Sequence, residues 1–225
     1  MNGCDPAYGF SLCDARLRAL PSGALHWPEA ATLAVADLHL GKAERLARRG
    51  GALLPPYETE DTLLRLEADI AATDPARVIC LGDSFDDTDA ADALTEEVLL
   101  RLSRLIAGRN WDWIAGNHDP APLALAGSHR AAVTMEPLTF RHIAEPAARG
   151  EVSGHYHPKA RLALTGARLV RSCFLIDAAR VILPAYGTYT GGLATQSEVL
   201  TRLMAPDAVA VLTGKRAQAL PMPRR

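Results

Sequence analysis

Apolar residues in this chain fall into short uninterrupted runs bounded by glycine, aspartate and asparagine. The first thirty residues contain short strand-like segments with turn residues at Pro21–Gly23. The runs TLAVA, VICL and WIA follow, beginning at Thr32, Val78 and Trp113. Continuous apolar runs of this length are typical of strands buried on both faces. The pattern therefore predicts three buried strands after a group of shorter ones.

Two segments carry the periodicity of amphipathic helices. The first runs from about Thr59 to Thr73, with Leu63, Leu66 and Ile70 on one face. The second is predicted to begin at an N-cap, Thr88, because carboxylates follow it in the first turn. Its apolar stripe comprises Leu94, Val98, Leu102, Leu105 and Ile106.

The second half of the chain changes character, because strand-like runs follow one another with few helical signals between them. These runs cover residues 131–142, 150–157, 160–166, 168–177 and 179–187. Strand–helix alternation followed by consecutive strands predicts an α/β protein with two stacked sheets and helices on their outer faces. Periodicity alone fits an ordinary α/β sandwich equally well. We expect a single domain over residues 1–225, because the sequence shows no linker or repeat.

The net charge and the composition limit the classes of function that we expect for this protein. The net charge of -2 argues against a protein that holds nucleic acid through a broad basic surface. It does not exclude a nuclease, because bound metal ions supply positive charge where a phosphate sits. The four cysteines lie far apart, the first residues lack a basic and an apolar signal region, and no run is long enough to span a membrane. We therefore expect a cytoplasmic protein without membrane association.

Polar side chains of metal-ligand type follow four of the predicted strands. The four motifs are Asp37-Leu38-His39, Gly82-Asp83, Gly116-Asn117-His118-Asp119 and Gly154-His155-Tyr156-His157. Each motif alone also has a structural interpretation, because Gly-Asp and Gly-Asn pairs are common in turns. Four such motifs in succession are hard to explain as turns, since functional sites of α/β sheets lie at the carboxyl ends of strands.

The residue types indicate the chemistry. Carboxylates, an amide and imidazoles, with no thiolate, suit divalent ions such as Mn, Fe or Zn. Seven candidate ligands exceed one tetrahedral sphere but suit two ions that share a carboxylate. A pair of ions about 3.5–4 Å apart clamps a phosphoryl group and activates water for in-line attack.

These motifs resemble those of the calcineurin-like metallophosphoesterases. A more specific resemblance, to the bacterial ligase-associated DNA-damage-response endonucleases of that superfamily, is carried by ADLHLGKAERLARRGGALLPPYET, LGDSFDD, WDWIAGNHDP, GHYHPKARL, RSCFLID and ILPAYGTYTGG. It covers nearly the whole chain and implies a four-layer α-β-β-α sandwich of two stacked sheets flanked by helices. One departure is Asp86, where we expect a histidine, so the role of that position is open.

The resemblance implies a role for each motif residue. Asp37, His39 and His157 are expected to hold one metal, Asp83 to bridge both, and Asn117, His142 and His155 to hold the second. His118 is expected to protonate the leaving oxygen after attack by a metal-bridging hydroxide, with Asp119 steadying it. His129 is a rival for the place of His142, whereas His26 lies outside every motif and is expected to pack.

Three features have two interpretations each. The cluster Arg45, Arg48 and Arg49 either contacts phosphates or forms a solvated helix face. The acidic residues Asp86, Asp87, Asp89 and Asp92 are most simply helix-start residues. The glycine-rich loop from Ala185 to Gly192 either lines a substrate groove, with Tyr186 and Tyr189 stacking bases, or merely turns the chain.

The resemblance implies a dinuclear phosphodiesterase that cleaves DNA in damage response or repair. Manganese is the first candidate metal, with Fe, Zn or Mg as alternatives. Partnership with an ATP-dependent DNA ligase and a helicase of the same pathway is implied as well. The competing hypotheses are a phosphatase or phosphodiesterase for small molecules or nucleotides, and a non-catalytic scaffold. A scaffold would be expected to lose ligands, yet every ligand position is filled here.

Overall fold

The structure is a computed structural model, and it describes residues 5–48, 57–86, 94–119, 125–164 and 167–224. Its first sheet has seven strands in the order in which they occur along the chain. The strands are β1 (Tyr8–Leu12), β2 (Ala15–Ala19), β3 (Leu25–Trp27), β4 (Thr32–Val35), β5 (Arg77–Cys80), β6 (Asn110–Ile114) and β7 (Ser128–Arg130). Strands β1 to β4 pair antiparallel and β4 to β7 pair parallel.

The second sheet is also mixed. Its strands are β8 (Ala132–Met135), β9 (Leu138–Arg141), β10 (Glu151–Ser153), β11 (Lys159–Leu164), β12 (Ala167–Ile176), β13 (Arg180–Ile182), β14 (Val209–Leu212) and β15 (Gln218–Pro221). Their order is β15-β14-β12-β13-β10-β9-β8, with β11 paired to β12. Strand β10 lies parallel to both β9 and β13, so each sheet contains a parallel block of strands.

Four α-helices and one short 3-10 helix (Pro28–Ala30) are assigned within the described ranges. The α-helices are α1 (Lys42–Arg48), α2 (Glu58–Thr73), α3 (Glu96–Ile106) and α4 (Glu198–Leu203). Helix α2 confirms the predicted helix over 59–73. Helix α3 begins later than predicted, because Thr95 is its N-cap and accepts a hydrogen bond from the Val98 amide. The predicted cap Thr88 and the acidic residues at 87, 89 and 92 lie outside the described residues.

Three apolar clusters define the layers. The central cluster joins the inner faces of the two sheets, with Ala34 and Ile79 of the first packed against Val152 and Phe174 of the second. A second cluster packs the outer face of the first sheet on α2 and α3 through residues such as Leu33, Val78, Leu66 and Leu102. The third packs the outer face of the second sheet on α4, around Leu175 and Leu200. The molecule is an α/β sandwich of two mixed sheets with helices outside them.

Alternation along β5 shows how a continuous apolar run produces these layers. Val78 and Cys80 face the helices, whereas Ile79 and Leu81 face the second sheet. All four side chains are fully buried, as expected of a strand covered on both faces. No helix within the described ranges has the length and apolar character needed to cross a membrane.

Candidate metal centre

The parallel blocks of the two sheets end at one edge of the sandwich. Strands β4, β5 and β6 end there in the first sheet, and β9 and β10 end there in the second. The loops that follow carry every sequence-predicted ligand: Asp37, His39, Asp83, Asn117, His142, His155 and His157. Backbone hydrogen bonds keep adjacent loops in register, since the His39 amide donates to the Asp83 carbonyl and the Gly154 amide to the His142 carbonyl.

Several of these ligands have unusual backbone conformations. Ten non-glycine residues of the described ranges have positive φ angles, a backbone conformation that residues other than glycine rarely adopt. Five of the ten are candidate ligands: Asp37, His39, Asp83, His155 and His157. Each such residue costs roughly 1–3 kcal/mol, and strain of this kind concentrates at functional sites. The loop conformations therefore aim side chains at one point at the expense of local stability.

Two of the glycines that precede ligands are required by close packing. A Cβ atom on Gly116 would overlap both the backbone amide nitrogen and the carboxylate of Asp83. A Cβ atom on Gly154 would lie 2.7 Å from the Asp37 carboxylate. These glycines let one ligand loop lie directly against another, because neither position has room for a side chain.

The first ligand cluster has the properties of a cation site. One potential ligand atom from each of Asp37, His39 and His157 lies within 4.8 Å of the others. Asp37 Oδ1, His39 Nε2 and His157 Nε2 are buried and have no hydrogen-bond partner. Three unsatisfied polar atoms in one place would be costly in a protein interior. A divalent ion would satisfy all three, so these residues fit the metal that the sequence predicted.

The second ligand cluster surrounds the ring of His142. Its Nδ1 donates to the Leu81 carbonyl oxygen at 2.7 Å, which directs Nε2 into the site. There Nε2 lies 3.0 Å from Asn117 Oδ1, 3.2 Å from His155 Nδ1 and 3.4 Å from Asp83 Oδ2. Carboxylate, amide and imidazole acceptors that face one another need a cation between them. The structure thus brings His142 into the cluster, whereas its rival His129 lies on β7.

Burial and mutual contacts shift the pKa values of the side chains in the second cluster. Burial would lower the pKa of His142, but the hydrogen bond to Asp83 and the charge of Asp37 raise it. Burial would raise the pKa of Asp83, yet hydrogen bonds from His142 and from the His118 amide hold it well below its usual range. The pKa of His155 is lowered by burial and by its neighbour His142. The directions of the Asp83 and His155 shifts favour an ionised carboxylate and a neutral imidazole, which are the forms of these groups that bind a metal ion.

His118 lies at the mouth of the centre and is half-buried. Its backbone amide donates to Asp83 Oδ1 at 2.8 Å, and its ring Nδ1 donates to the Asp86 carbonyl oxygen at 2.9 Å. A ring held at Nδ1 leaves the proton of Nε2 for transfer, and a protonated imidazole can serve as a general acid.

Asp119 occupies a different place from the one expected for it. We expected its carboxylate to steady His118, but its two oxygens accept hydrogen bonds from the amides of Asp83, Ser84, Phe85 and Gly116. The carboxylate is buried, and burial raises its pKa. Asp119 therefore ties the loop after β5 to the loop after β6, and the backbone of Asp86 orients the His118 ring.

The structure contradicts the interpretation of Asp86 as a helix-start residue and places it beside a candidate ligand. It was interpreted as a helix-start residue, yet its side chain is fully buried and its Oδ1 lies 2.8 Å from His39 Nδ1. The same carboxylate contacts Arg45 Nε and lies 3.8 Å from Lys42 Nζ. Arg45 is thus neither a solvated residue nor a free phosphate ligand. Arg49 lies outside the described residues, as does the side chain of Arg48.

Two aromatic predictions are changed by the structure. Tyr186 cannot stack a base, because it is fully buried and its hydroxyl donates to Asp69 Oδ2 at 2.8 Å. Tyr189 is 37% exposed and remains available. His26 packs in the interior, as expected, with 8% of its surface exposed.

Comparisons with known proteins agree with this geometry. The sequence model of a family described as calcineurin-like phosphoesterase matches residues 31–188. A crystal structure of Pseudomonas putida nuclease MPE is similar to this chain, with 29% sequence identity and a TM-score of 0.72. The similarity covers 95% of this chain and 100% of the nuclease chain. No curated protein matches the sequence. The family match spans the strands and loops that build the centre, and the chain belongs to the calcineurin-like phosphoesterase family of metal-dependent phosphoesterases.

Proposed function

We propose that this protein is a dinuclear metal-dependent phosphodiesterase that cleaves DNA as an endonuclease. The observation that carries the proposal is the convergence of two ligand clusters, Asp37–His39–His157 and Asp83–His142–His155, at one edge of the sandwich. Asn117 adjoins the second cluster. The similarity to a bacterial nuclease over almost the whole chain supports a nucleic-acid substrate.

The side chains have distinct tasks in this reaction. A pair of divalent ions supplies Lewis acidity toward a phosphoester and a nucleophile at neutral pH. Asp37, His39 and His157 would hold one ion, Asn117, His142 and His155 the other, and Asp83 both. His118, held at Nδ1 by the Asp86 carbonyl oxygen, donates its Nε2 proton to the departing oxygen.

The donor set favours particular metals. Its oxygen and imidazole donors suit Mn²⁺, Fe²⁺ and Zn²⁺, and Mg²⁺ is accommodated through the carboxylates. We propose Mn²⁺ as the working ion. A net charge of -2 limits the number of phosphates contacted, so nucleic-acid binding should be weak and largely independent of sequence.

A substrate panel tests the proposal. Manganese-loaded protein is assayed on bis-nitrophenyl phosphate, nitrophenyl phosphate and a labelled oligonucleotide, beside His118→Asn and the control His129→Asn. We expect diesters to be preferred and the oligonucleotide to be cut internally; His118→Asn should lose cleavage of the oligonucleotide, and the control should remain active. If the monoester is preferred tenfold or more and the oligonucleotide stays intact, the nuclease hypothesis fails and the small-molecule phosphatase hypothesis is supported. No turnover of any ester would favour the scaffold hypothesis.

The same proposal places the protein in DNA damage response or repair, beside an ATP-dependent ligase and a helicase. This part rests on resemblance of sequence rather than on chemistry. Affinity purification of the tagged protein from DNA-damaged cells tests it, with the inactive His118→Asn protein as bait to retain bound DNA. If neither the ligase nor the helicase is recovered, the proposed role in DNA repair falls and the catalytic proposal stands.

A further inference from the structure

Strands β11 and β12 form a hairpin that projects beyond the edge of the sandwich where the candidate ligands lie. Strand β13 is parallel to β10 and β12 is antiparallel to β13, so β12 begins at that edge. Residues 173–176 of β12 pair with β14 in the sheet, whereas residues 167–172 pair with β11. Strand β11 begins two residues after the candidate ligand His157. The hairpin therefore extends outward from the first ligand cluster.

Backbone hydrogen bonds fix the base of this hairpin. The Lys159 amide donates to the Leu193 carbonyl oxygen at 2.8 Å, and the Lys159 carbonyl oxygen accepts from the Thr195 amide at 3.0 Å. On the other strand, the Cys173 amide donates to the Pro158 carbonyl oxygen at 3.0 Å. Both strands are thus held where the hairpin leaves the sheet, so its position relative to the metal centre is defined.

The side chain of Lys159 joins the hairpin to a loop that borders the metal centre. Its Nζ donates to the Thr190 carbonyl oxygen at 2.7 Å. In the same loop, the Gly187 amide donates to the carbonyl oxygen of the candidate ligand Asp37 at 3.1 Å. The face of the hairpin that carries Lys159 is therefore on the side of the first ligand cluster.

The strand register divides the side chains of the hairpin between two faces. Directly opposed residues of an antiparallel pair lie on one face, and successive residues of a strand alternate between faces. Arg161 is opposite Val170 and shares the face of Lys159, and both Arg161 and Val170 are exposed. Arg171 is also exposed, but it is opposite Ala160, which is buried in the apolar cluster beneath α4. The two exposed arginines therefore lie on opposite faces of the hairpin.

The hairpin concentrates positive charge in a chain whose net charge is -2. The sequence between Glu151 and Asp177 contains no acidic residue, whereas lysine or arginine occurs at positions 159, 161, 168 and 171. The side chain at position 168 lies outside the described residues. Within the described ranges neither Arg161 nor Arg171 forms an ion pair. Uncompensated positive charge on a projecting element favours binding of a polyanion.

The loop that binds Lys159 also contacts a carboxylate, at a different residue. Thr188 Oγ1 donates to Asp61 Oδ2 at 2.5 Å. Arg65 Nη2 lies 3.2 Å from the same carboxylate oxygen. Arg65 therefore compensates the charge of Asp61, and the loop leaves the positive charge of the hairpin in place.

We propose that the hairpin face formed by Lys159 and Arg161 binds phosphates of the nucleic-acid strand that adjoin the scissile phosphate, on the side of the first ligand cluster. This inference rests on the proposed nuclease function and adds a backbone-binding surface to it. Alternate residues of a strand are about 6–7 Å apart, so the two cations form a short row that leads away from the centre. Phosphate contacts of this kind fix the position of the nucleic acid without reading its sequence.

The salt dependence of binding tests this surface, because it reports the number of phosphates that the protein neutralises. The variants are Arg161→Gln and the matched control Arg171→Gln, which removes the same charge from an exposed position on the other face of the hairpin. Each change is made in a His118→Asn background, so that the strand stays intact. Binding of a labelled oligonucleotide to the manganese-loaded proteins is measured between about 50 and 200 mM salt.

We expect Arg161→Gln to reduce the slope of log K against log salt by about 0.7–0.9, the amount that corresponds to one phosphate contact. Arg171→Gln should keep the slope of the His118→Asn protein. Metal content and thermal unfolding should agree between the two variants, because both side chains are exposed.

Equal slopes for Arg161→Gln and Arg171→Gln, whether both are reduced or both unchanged, would overturn the proposed surface. If the unsubstituted protein cuts the oligonucleotide and the two slopes are equal, this surface alone falls. If the unsubstituted protein cuts no oligonucleotide and the His118→Asn protein binds none, the proposed function falls and the surface falls with it.

Discussion

The carboxylate of Asp86 and the imidazole of His39 form a buried pair, with Oδ1 2.8 Å from Nδ1. The contact fixes the ring tautomer, because Nδ1 donates to the carboxylate and leaves the lone pair of Nε2 for a metal. His39 Nε2 is buried and has no hydrogen-bond partner. Arg45 and Lys42 compensate the charge of Asp86 from the other side. Carboxylates that orient a ligating histidine in this way raise its basicity and its affinity for metal.

Asp86→Ala should therefore weaken the first metal site. We expect its affinity for Mn²⁺ to fall about 10- to 100-fold, because the His39 ring loses its hydrogen-bond acceptor. Titration of metal-free protein with Mn²⁺ measures this change. Asp112→Ala is the matched control, since Asp112 is also buried and paired with arginines, at 2.6 Å from Arg77 and 3.0 Å from Arg130. Equal metal affinities in the two variants would contradict the positioning role.

Asp119→Asn should destabilise the protein rather than remove a proton donor. The carboxylate now accepts hydrogen bonds from four backbone N–H groups. In an asparagine, the NH₂ group would replace one oxygen and would face two of these N–H groups, so donors would meet donors. We expect the free energy of unfolding to fall by about 3 kcal/mol, since hydrogen bonds to charged groups contribute about 1.5–3 kcal/mol each. Denaturant unfolding of metal-free protein measures the loss.

Asp177→Asn provides the control for Asp119. Asp177 also accepts hydrogen bonds from backbone amides, those of Ala179, Arg180 and Ala205, but it lies outside the ligand loops. Both variants should lose stability, and only Asp119→Asn should also lose bound Mn²⁺. If Asp119→Asn were fully stable and its rates depended differently on the leaving group, Asp119 would instead act by steadying the general acid His118, as the sequence predicted.

The convergence of the candidate ligands was predictable because they follow a simple rule of sheet architecture. Each one comes just after an apolar run, and parallel strands end at one edge, so Asp37, Asp83 and Asn117 were expected to meet. The partners of Asp86 and Asp119 were not predictable, because both pair with groups that are distant in sequence. His39 lies 47 residues from Asp86, and no local pattern encodes that contact. The family resemblance assigned a role to Asp119 and left that of Asp86 open, whereas the contacts of both residues depend on tertiary structure.

The limits of the fold prediction have a similar cause. Strands β14 and β15 and helix α4 were not predicted, since the last forty residues lack the long apolar runs of the earlier strands. Helix α4 is only six residues long and is stabilised by packing Leu200 on the second sheet. Short elements depend on tertiary contacts more than on propensity.

His118→Asn should remove turnover and leave the metals in place. Loss of a general acid costs about 10²–10⁴ in rate, or roughly 3–5.5 kcal/mol of barrier. The loss should be smaller for a nitrophenolate leaving group, which departs without protonation. Steady-state rates on diesters with good and poor leaving groups, beside metal analysis, measure this difference. An equal loss on both substrates would argue against the acid role.

Asp69 gives the fold a pH dependence that is separate from the metals. Burial raises the pKa of this carboxyl group, although hydrogen bonds from Ser22 and Tyr186 oppose the shift. Because the pKa is higher in the folded state, the unfolded chain loses this proton at a lower pH than the folded protein does. The stability of the parent relative to Asp69→Asn should therefore be highest below about pH 3.9, the ordinary pKa of aspartate. It should fall as the pH rises through the raised pKa.

Denaturant unfolding of metal-free protein across this pH range measures the difference. Asp74→Asn is the control for replacing an acidic residue by its amide, because Asp74 ends the same helix with its side chain 97% exposed. If the free energy of unfolding of the parent instead rose relative to that of Asp69→Asn as the pH increased, the prediction would be contradicted.

Metal stoichiometry tests most directly the proposed dinuclear centre, in which Asp83 would hold both ions. Protein reconstituted with Mn²⁺ and freed of excess metal is analysed for manganese per chain, beside Asp83→Ala. We predict close to two ions per chain for the parent and loss of both in Asp83→Ala, because that carboxylate would belong to both ligand spheres. A fully loaded parent with one ion, or an Asp83→Ala protein that retains two, would contradict the dinuclear centre.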